Sequence, residues 1–213
     1  MIERKIETKL KDFFEEKPQK ALLVTGARQI GKTYSIRRVG KAMFKSFVEI
    51  NLIENKQAAK IFEAAENSQE ILLRVSALSD QPLIPGETLI FIDEVQEAKE
   101  LVTAIKFLVE DGRYQYVLSG SLLGVELQDL RSVPVGYMDI LEMFPLDFEE
   151  FSLANRVSKA VIDALHTCFE KKLPVDPIIH EKMLELFRLY LMVGGMPAAV
   201  SVYLETNDLK NVI

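Results

Sequence analysis

A chain of 213 residues with 48% hydrophobic and 27% charged residues can bury a sizeable core, is too apolar to be disordered, and fits one α/β domain with a smaller one appended. Its net charge of −6 excludes a globally basic surface for nucleic acid, though not a local basic patch. The lone Cys168 excludes an intrachain disulfide and a cysteine-built zinc site, and the lack of an apolar signal core or a membrane-length apolar run leads us to expect a cytoplasmic protein with no membrane partner.

In chain order, residues 1–14 predict an amphipathic helix with Ile2, Ile6, Leu10, Phe13 and Phe14 on one side, ended by Glu15-Glu16-Lys17-Pro18. Strands are predicted at about 21–25 and 46–52, followed by helical stretches near 55–65 and 69–78 and a loop marked by Pro82, Pro85 and Gly86. The run Thr88-Leu89-Ile90-Phe91-Ile92 suits a central parallel strand buried on both faces. A helix at about 98–110 stops at Asp111-Gly112, and Tyr114 to Ser119 forms the fourth strand. A helix near 122–130 and a loop through Pro134 and Gly136 lead to a fifth strand at about 137–142. Strands alternating with helices predict a parallel sheet covered on both faces.

After Phe144-Pro145 the pattern is helical only, near 157–172, 178–193 and 197–206, with a capping-box spacing from Asp147 to Glu150. The expected division is an N-terminal helix at 1–20, an α/β core at 21–144 and a helical region at 145–213. Cys168 reads as a small buried hydrophobe, and His166 and His180 as surface or capping residues.

The most telling stretch is Gly26-Ala27-Arg28-Gln29-Ile30-Gly31-Lys32-Thr33, a Gly-x-x-x-x-Gly-Lys-Thr loop between a strand and a helix. Glycines let the backbone fold around a phosphate chain, Lys32 reaches the β/γ-phosphates and the Thr33 hydroxyl holds Mg²⁺. The helix beginning near Gly31 adds the positive end of its dipole. We therefore expect residues 26–33, with the adjoining Tyr34, to contact a nucleotide.

Asp93 and Glu94 end the apolar third strand, at the edge where ligands bind in α/β sheets. Asp93 suits Mg²⁺, and Glu94 suits a base that takes a proton from, or orients, the attacking water. The same pair also has the chemistry of a cap for the following helix. The fourth strand ends in Leu118-Ser119-Gly120-Ser121, where Ser121 or Ser119 serves either to bond the water or a γ-oxygen, or simply as an N-cap.

Together these residues resemble an AAA+-type P-loop ATPase, and more closely a prokaryotic family of predicted ATPases of that superfamily. Besides the loop, Phe91-Ile92-Asp93-Glu94-Val95-Gln96 and Leu118-Ser119-Gly120-Ser121, the stretches Phe144-Pro145-Leu146-Asp147-Phe148-Glu149-Glu150-Phe151 and Val193-Gly194-Gly195-Met196-Pro197 carry the resemblance. It implies a three-layer fold with a five-stranded parallel sheet in order 5-1-4-3-2 and an α-helical lid. It further implies ATP and Mg²⁺ as cofactors, Lys32 and Thr33 on phosphate and metal, Asp93 on metal, Glu94 as base, Ser121 as polar sensor and Arg131 at the place of an arginine finger, whose other reading is a solvated surface arginine.

Two departures stand out: Val135-Gly136-Tyr137 occupies the place of an Ala-Gly-Arg-like run, and Gly194-Gly195-Met196-Pro197 opens a helix without a second-sensor arginine. Relatives continue with a further domain, so the chain reads as truncated at its C-terminus. The expected partners are that domain or a client protein, with a homo-oligomer left open. Competing readings are a slow nucleotide-gated switch, favoured slightly by the absent arginines, and a nucleic-acid remodelling motor using a basic strip of Arg37, Arg38, Lys41 and Lys45.

Overall fold

The computed structural model describes residues 2–54, 57–98, 100–120 and 136–212. Its elements are α1 (Lys5–Glu16), β1 (Ala21–Thr25), α2 (Lys32–Met43), β2 (Ser46–Asn51), α3 (Ser68–Leu78), β3 (Thr88–Asp93), α4 (Leu101–Asp111), β4 (Gln115–Gly120), β5 (Met138–Glu142), α5 (Phe148–Ala154), α6 (Lys159–Lys171), α7 (Pro177–Val193) and α8 (Pro197–Thr206), with short 3₁₀ turns at Ala58–Ile61, Val95–Glu97 and Leu209–Asn211. The chain divides into two units, Ile6–Met143 and Met1–Lys5 together with Phe144–Ile213. Among the described residues no helix is long and apolar enough to cross a membrane.

In the larger unit, β1 and β3 are buried along their whole length, as unbroken apolar and β-branched runs require when both faces are covered. β2 alternates buried and half-buried positions. All pairings are parallel and the order is β2-β3-β4-β1-β5, which is the expected 5-1-4-3-2 order read from the other edge. On one face Leu23, Ile90, Ile92, Tyr116 and Leu118 pack with Ile71 and Val75 of α3 and with Leu101, Ile105 and Leu108 of α4. Gly40 of α2 meets Phe47 and Leu89, where an added Cβ would lie 2.5 Å from the Phe47 ring and 2.9 Å from the Leu89 side chain. A larger residue at position 40 would push α2 off the strands.

The expected helix near 55–65 is a 3₁₀ turn, Ala58–Ile61, among the described residues. Ala64 then adopts a left-handed conformation (φ 49°), which ends the helical path. The carbonyls this exposes are gathered by Arg74 of α3, whose Nη1 donates to those of Lys60 (3.3 Å), Ile61 (2.9 Å) and Glu63 (2.9 Å). A guanidinium from another helix thus replaces the continuing turn, which local periodicity does not reveal.

In the smaller unit, Leu146, Phe151, Leu186, Val193 and Val200 form the core, with Phe148 edge-on to Phe187 at 5.2 Å. The capping box is formed: Asp147 accepts from the Glu150 N–H at 2.8 Å, and Glu150 accepts from the Asp147 N–H at 3.1 Å. Glu150 also accepts from Arg4 Nε at 3.1 Å and from the Lys5 N–H at 2.7 Å, while Lys5 Nζ reaches Asp147 and Glu149, each at 2.7 Å. The Pro-Leu-Asp-Phe-Glu-Glu-Phe run is therefore a clasp for residues 4 and 5. Gly194 ends α7 at φ 76°, and Pro197 opens α8 at its first turn. Gly195 is required by close approach, because a Cβ there would lie 2.3 Å from the Leu146 carbonyl oxygen. Cys168, expected to be buried, is only half-buried, with Sγ 3.7 Å from the Pro174 carbonyl, since α6 buries only Ile162.

Candidate active site

The loop between β1 and α2 is shaped by positions that side chains fit badly. Gly26 has φ 141°, and a Cβ on it would stand 2.2 Å from the Met143 carbonyl oxygen and 2.7 Å from Ile30 Cδ1. Gln29 (φ 63°) and Gly31 (φ 95°) are left-handed, which curls the backbone. Ile30 is wholly buried and anchors the loop, leaving Ala27, Arg28 and Gln29 exposed on its crest. The helix α2 starts at Lys32 after Gly31, which has no side chain to cap it, so among the described residues no side-chain cap is made there. That is the arrangement in which an anion is held at a helix start.

Lys32 Nζ folds back over the loop and donates to the carbonyls of Gly26 (3.0 Å) and Ala27 (2.7 Å). Burial lowers its pKa; the charges of Glu94 and Asp93 oppose that shift and the charge of Arg28 adds to it. Among the described residues its ammonium is hydrogen-bonded by neutral carbonyls, and a phosphate oxygen there would favour its charged form.

The parallel register brings Thr25, Gly120, Asp93 and Asn51 to one end of the sheet, with Thr25 beside Gly120, Asp93 beside Ser119 and Asn51 beside Asp93. Asp93, 3% exposed, accepts from the Thr33 hydroxyl at 2.8 Å through Oδ2. Its Oδ1 accepts from the Ser119 hydroxyl and from the Glu94 N–H at 3.0 Å. Among the described residues neither Asp93 nor Glu94 is in an ion pair. A hydroxyl and a buried carboxylate facing each other, both oxygen, form a donor pair that fits Mg²⁺.

Glu94 stands just past the strand in a left-handed conformation (φ 59°, ψ 49°), which costs a residue with a Cβ about 1–2 kcal/mol. It opens the turn Val95–Glu97, and its side chain accepts no cap hydrogen bond from that turn. Its Oε2 accepts from Gln96 Nε2 at 2.6 Å. Ser119, considered above as a contact for water or a γ-oxygen, is fully buried and spends its hydroxyl on Asp93. Tyr34 is 52% exposed on the first turn of α2. Ser121 and Arg131 lie outside the described residues.

Sequence reasoning assigned no role to Gln96 and did not link Ser119 to Asp93. The Ser119 link follows from strand register, which the sequence pattern does not give. The Gln96 contact carries a weak local signal, an amide two residues after a strand-ending acid. The expected basic strip is largely balanced: on α2 Arg37 pairs with Glu49 (2.5 Å), Arg38 with Glu7 (3.2 Å) and Lys41 lies over the Phe47 ring at 5.9 Å, while Lys45, just past the end of α2, pairs with Glu87 (2.5 Å).

A phosphate loop on β1, an acid pair on β3 and a parallel sheet ordered with β4 between those strands define the P-loop nucleotide hydrolase class. The AAA domain family matches residues 18–152, and the chain belongs to that family, that of ATP-hydrolysing P-loop enzymes. Solved structures share the fold, among them the following two. The Walker-type ATPase PABY2304 of Pyrococcus abyssi is 17% identical with a TM-score of 0.53, over 100% of this chain and 70% of that one. PCH-2 of C. elegans is 14% identical with a TM-score of 0.54, over 99% of this chain and 66% of that one. No curated protein sequence matches the chain.

Proposed function

We propose that this chain binds Mg·ATP on residues 26–34, hydrolyses it with Glu94 as base, and passes nucleotide state to residues 145–213 as a moving lid. The observation that carries this is the contact of Thr33 with Asp93 at 2.8 Å, beside Glu94 and under the loop that Lys32 covers. Lys32 leaves its two carbonyl partners for the β/γ-phosphates, and the N–H groups at the start of α2 hold the phosphate chain. Thr33 and Asp93 would hold Mg²⁺, which supplies charge neutralisation to the phosphate oxygens. Water attacks the γ-phosphorus, Glu94 takes its proton, and the bond to the β-bridging oxygen breaks to give ADP and phosphate.

Ser121 as polar sensor and Arg131 as a finger toward a neighbouring copy complete the proposal. So do a further domain or a client protein as recipient of the motion and a cytoplasmic location. Transmission needs a two-state element, and the helical region with its Gly194 bend is the candidate.

Phosphate release by wild type and by Glu94→Gln, with ATP affinity measured in parallel, tests the chemistry. The expected result is a fall in turnover of about 100-fold or more with ATP binding retained. Tight binding with negligible turnover in the wild type would favour a nucleotide-gated switch over a motor.

A further inference from the structure

A general base has two requirements beyond basicity: its side chain must be aimed, and one of its two oxygens must be left for the proton. The backbone of Glu94 is fixed, in the left-handed region, by its N–H to Asp93 Oδ1 at 3.0 Å and by its carbonyl accepting from the Glu97 N–H at 3.1 Å. Three side-chain torsions remain beyond that backbone, and rotamer freedom of this kind is costly to freeze at every turnover. The contact that freezes it is Gln96 Nε2 on Glu94 Oε2 at 2.6 Å.

The other end of that amide is informative. Gln96 Oε1 is buried with no hydrogen-bond partner among the described residues. An amide that served to stitch the turn into the fold would spend its acceptor on a backbone N–H; this one makes its hydrogen bond to Glu94 alone among the described side chains. The donor is also neutral. A lysine or arginine at that distance would hold the carboxylate ionised but strip its basicity, whereas an amide orients it at a smaller loss.

We propose that Gln96 is a positioning residue for hydrolysis: it holds Oε2 of Glu94 and leaves Oε1 as the oxygen that receives the proton from water. This rests on the reading of Glu94 as the base.

Full-chain Gln96→Ala, Gln96→Glu and Gln96→Asn are compared with wild type for kcat, KM for ATP and thermal midpoint, each also in a Glu94→Gln background. Gln96→Ala is expected to lower kcat about tenfold with KM for ATP within twofold of wild type. Gln96→Glu keeps the shape, removes the donor and adds a like charge, so it should lower kcat at least as far with a similar thermal midpoint. Gln96→Asn keeps the donor on a shorter stem and should recover part of the loss. In the Glu94→Gln background all three should be without further effect, because the group being positioned is gone. Wild-type kcat in Gln96→Ala and Gln96→Glu overturns the proposal, as does a raised kcat, which would make Gln96 a restraint on Glu94. Loss of kcat only in proportion to loss of folded protein overturns it too. Undiminished turnover in Glu94→Gln alone is a different outcome, the failure of the base assignment on which the proposal stands.

Discussion

The chain holds two clusters of carboxylates whose partners differ in kind. Asp147, Glu149 and Glu150, at the start of α5, are met by cations: Arg4 Nε on Glu150, and Lys5 Nζ on both Asp147 and Glu149. Asp93 and Glu94, at the end of β3, are met only by neutral donors among the described residues: two hydroxyls, an N–H and an amide. The same residue types therefore do opposite things. A carboxylate whose charge is already compensated is a structural part, and one held in place by neutral groups still has its charge to offer a metal or a proton. The sequence read the first as a capping-box spacing and the second as a strand-ending acid pair, and their partners in the structure differ accordingly.

Three changes sharpen that contrast, from largest effect to smallest. Gly26→Ala would force a Cβ to within 2.2 Å of a backbone oxygen at a φ that L-residues avoid. We expect it to abolish ATP binding in a titration and to cost about 3 kcal/mol of stability. Normal affinity in that variant would mean that the loop tolerates another shape.

Glu150→Ala removes the carboxylate that accepts from Nε of Arg4, whose side chain is 7% exposed, and removes half of the capping box. The expected loss is about 3 kcal/mol in denaturant unfolding, with ATP affinity of the folded protein unchanged. A loss of nucleotide affinity without a loss of stability would move this cluster from structure to chemistry.

The smallest effect is a pH effect at Asp147. Burial pushes its carboxyl up, but the Glu150 N–H and Lys5 outweigh this and leave it below its ordinary 3.8. A carboxyl depressed in the folded state contributes stability above its unfolded pKa and loses it as pH falls through the folded value. Acid titration of wild type should therefore show stability falling below about pH 4, and Asp147→Asn should be the flatter of the two. Equal slopes would mean that Lys5 and the cap contribute nothing through charge.

What could be read from the sequence follows the range of the forces involved. The strands at 21–25 and 88–93 were legible because burial on both faces leaves an uninterrupted apolar run, and the loop at 26–33 because phosphate geometry restricts which residues fit. Thr33 and Asp93 could be paired on paper by motif, and the structure brings them to 2.8 Å. What stayed hidden depends on register and on distant side chains. Ser119 reaches Asp93 only because β4 lies beside β3 in that register, and Arg74 ends a helical path by collecting carbonyls from residues 60, 61 and 63. Cys168 misled because a helical pattern of apolar residues was read as burial, whereas α6 leaves Phe169 85% exposed.

The central claim is that the carboxylate pair held by neutral donors performs the hydrolysis. Its most direct test is a single-turnover measurement with Glu94→Gln in excess over Mg·ATP, following both bound ATP and released phosphate. The account predicts that ATP stays bound and intact over many wild-type turnover times. Phosphate release at the wild-type rate would contradict it.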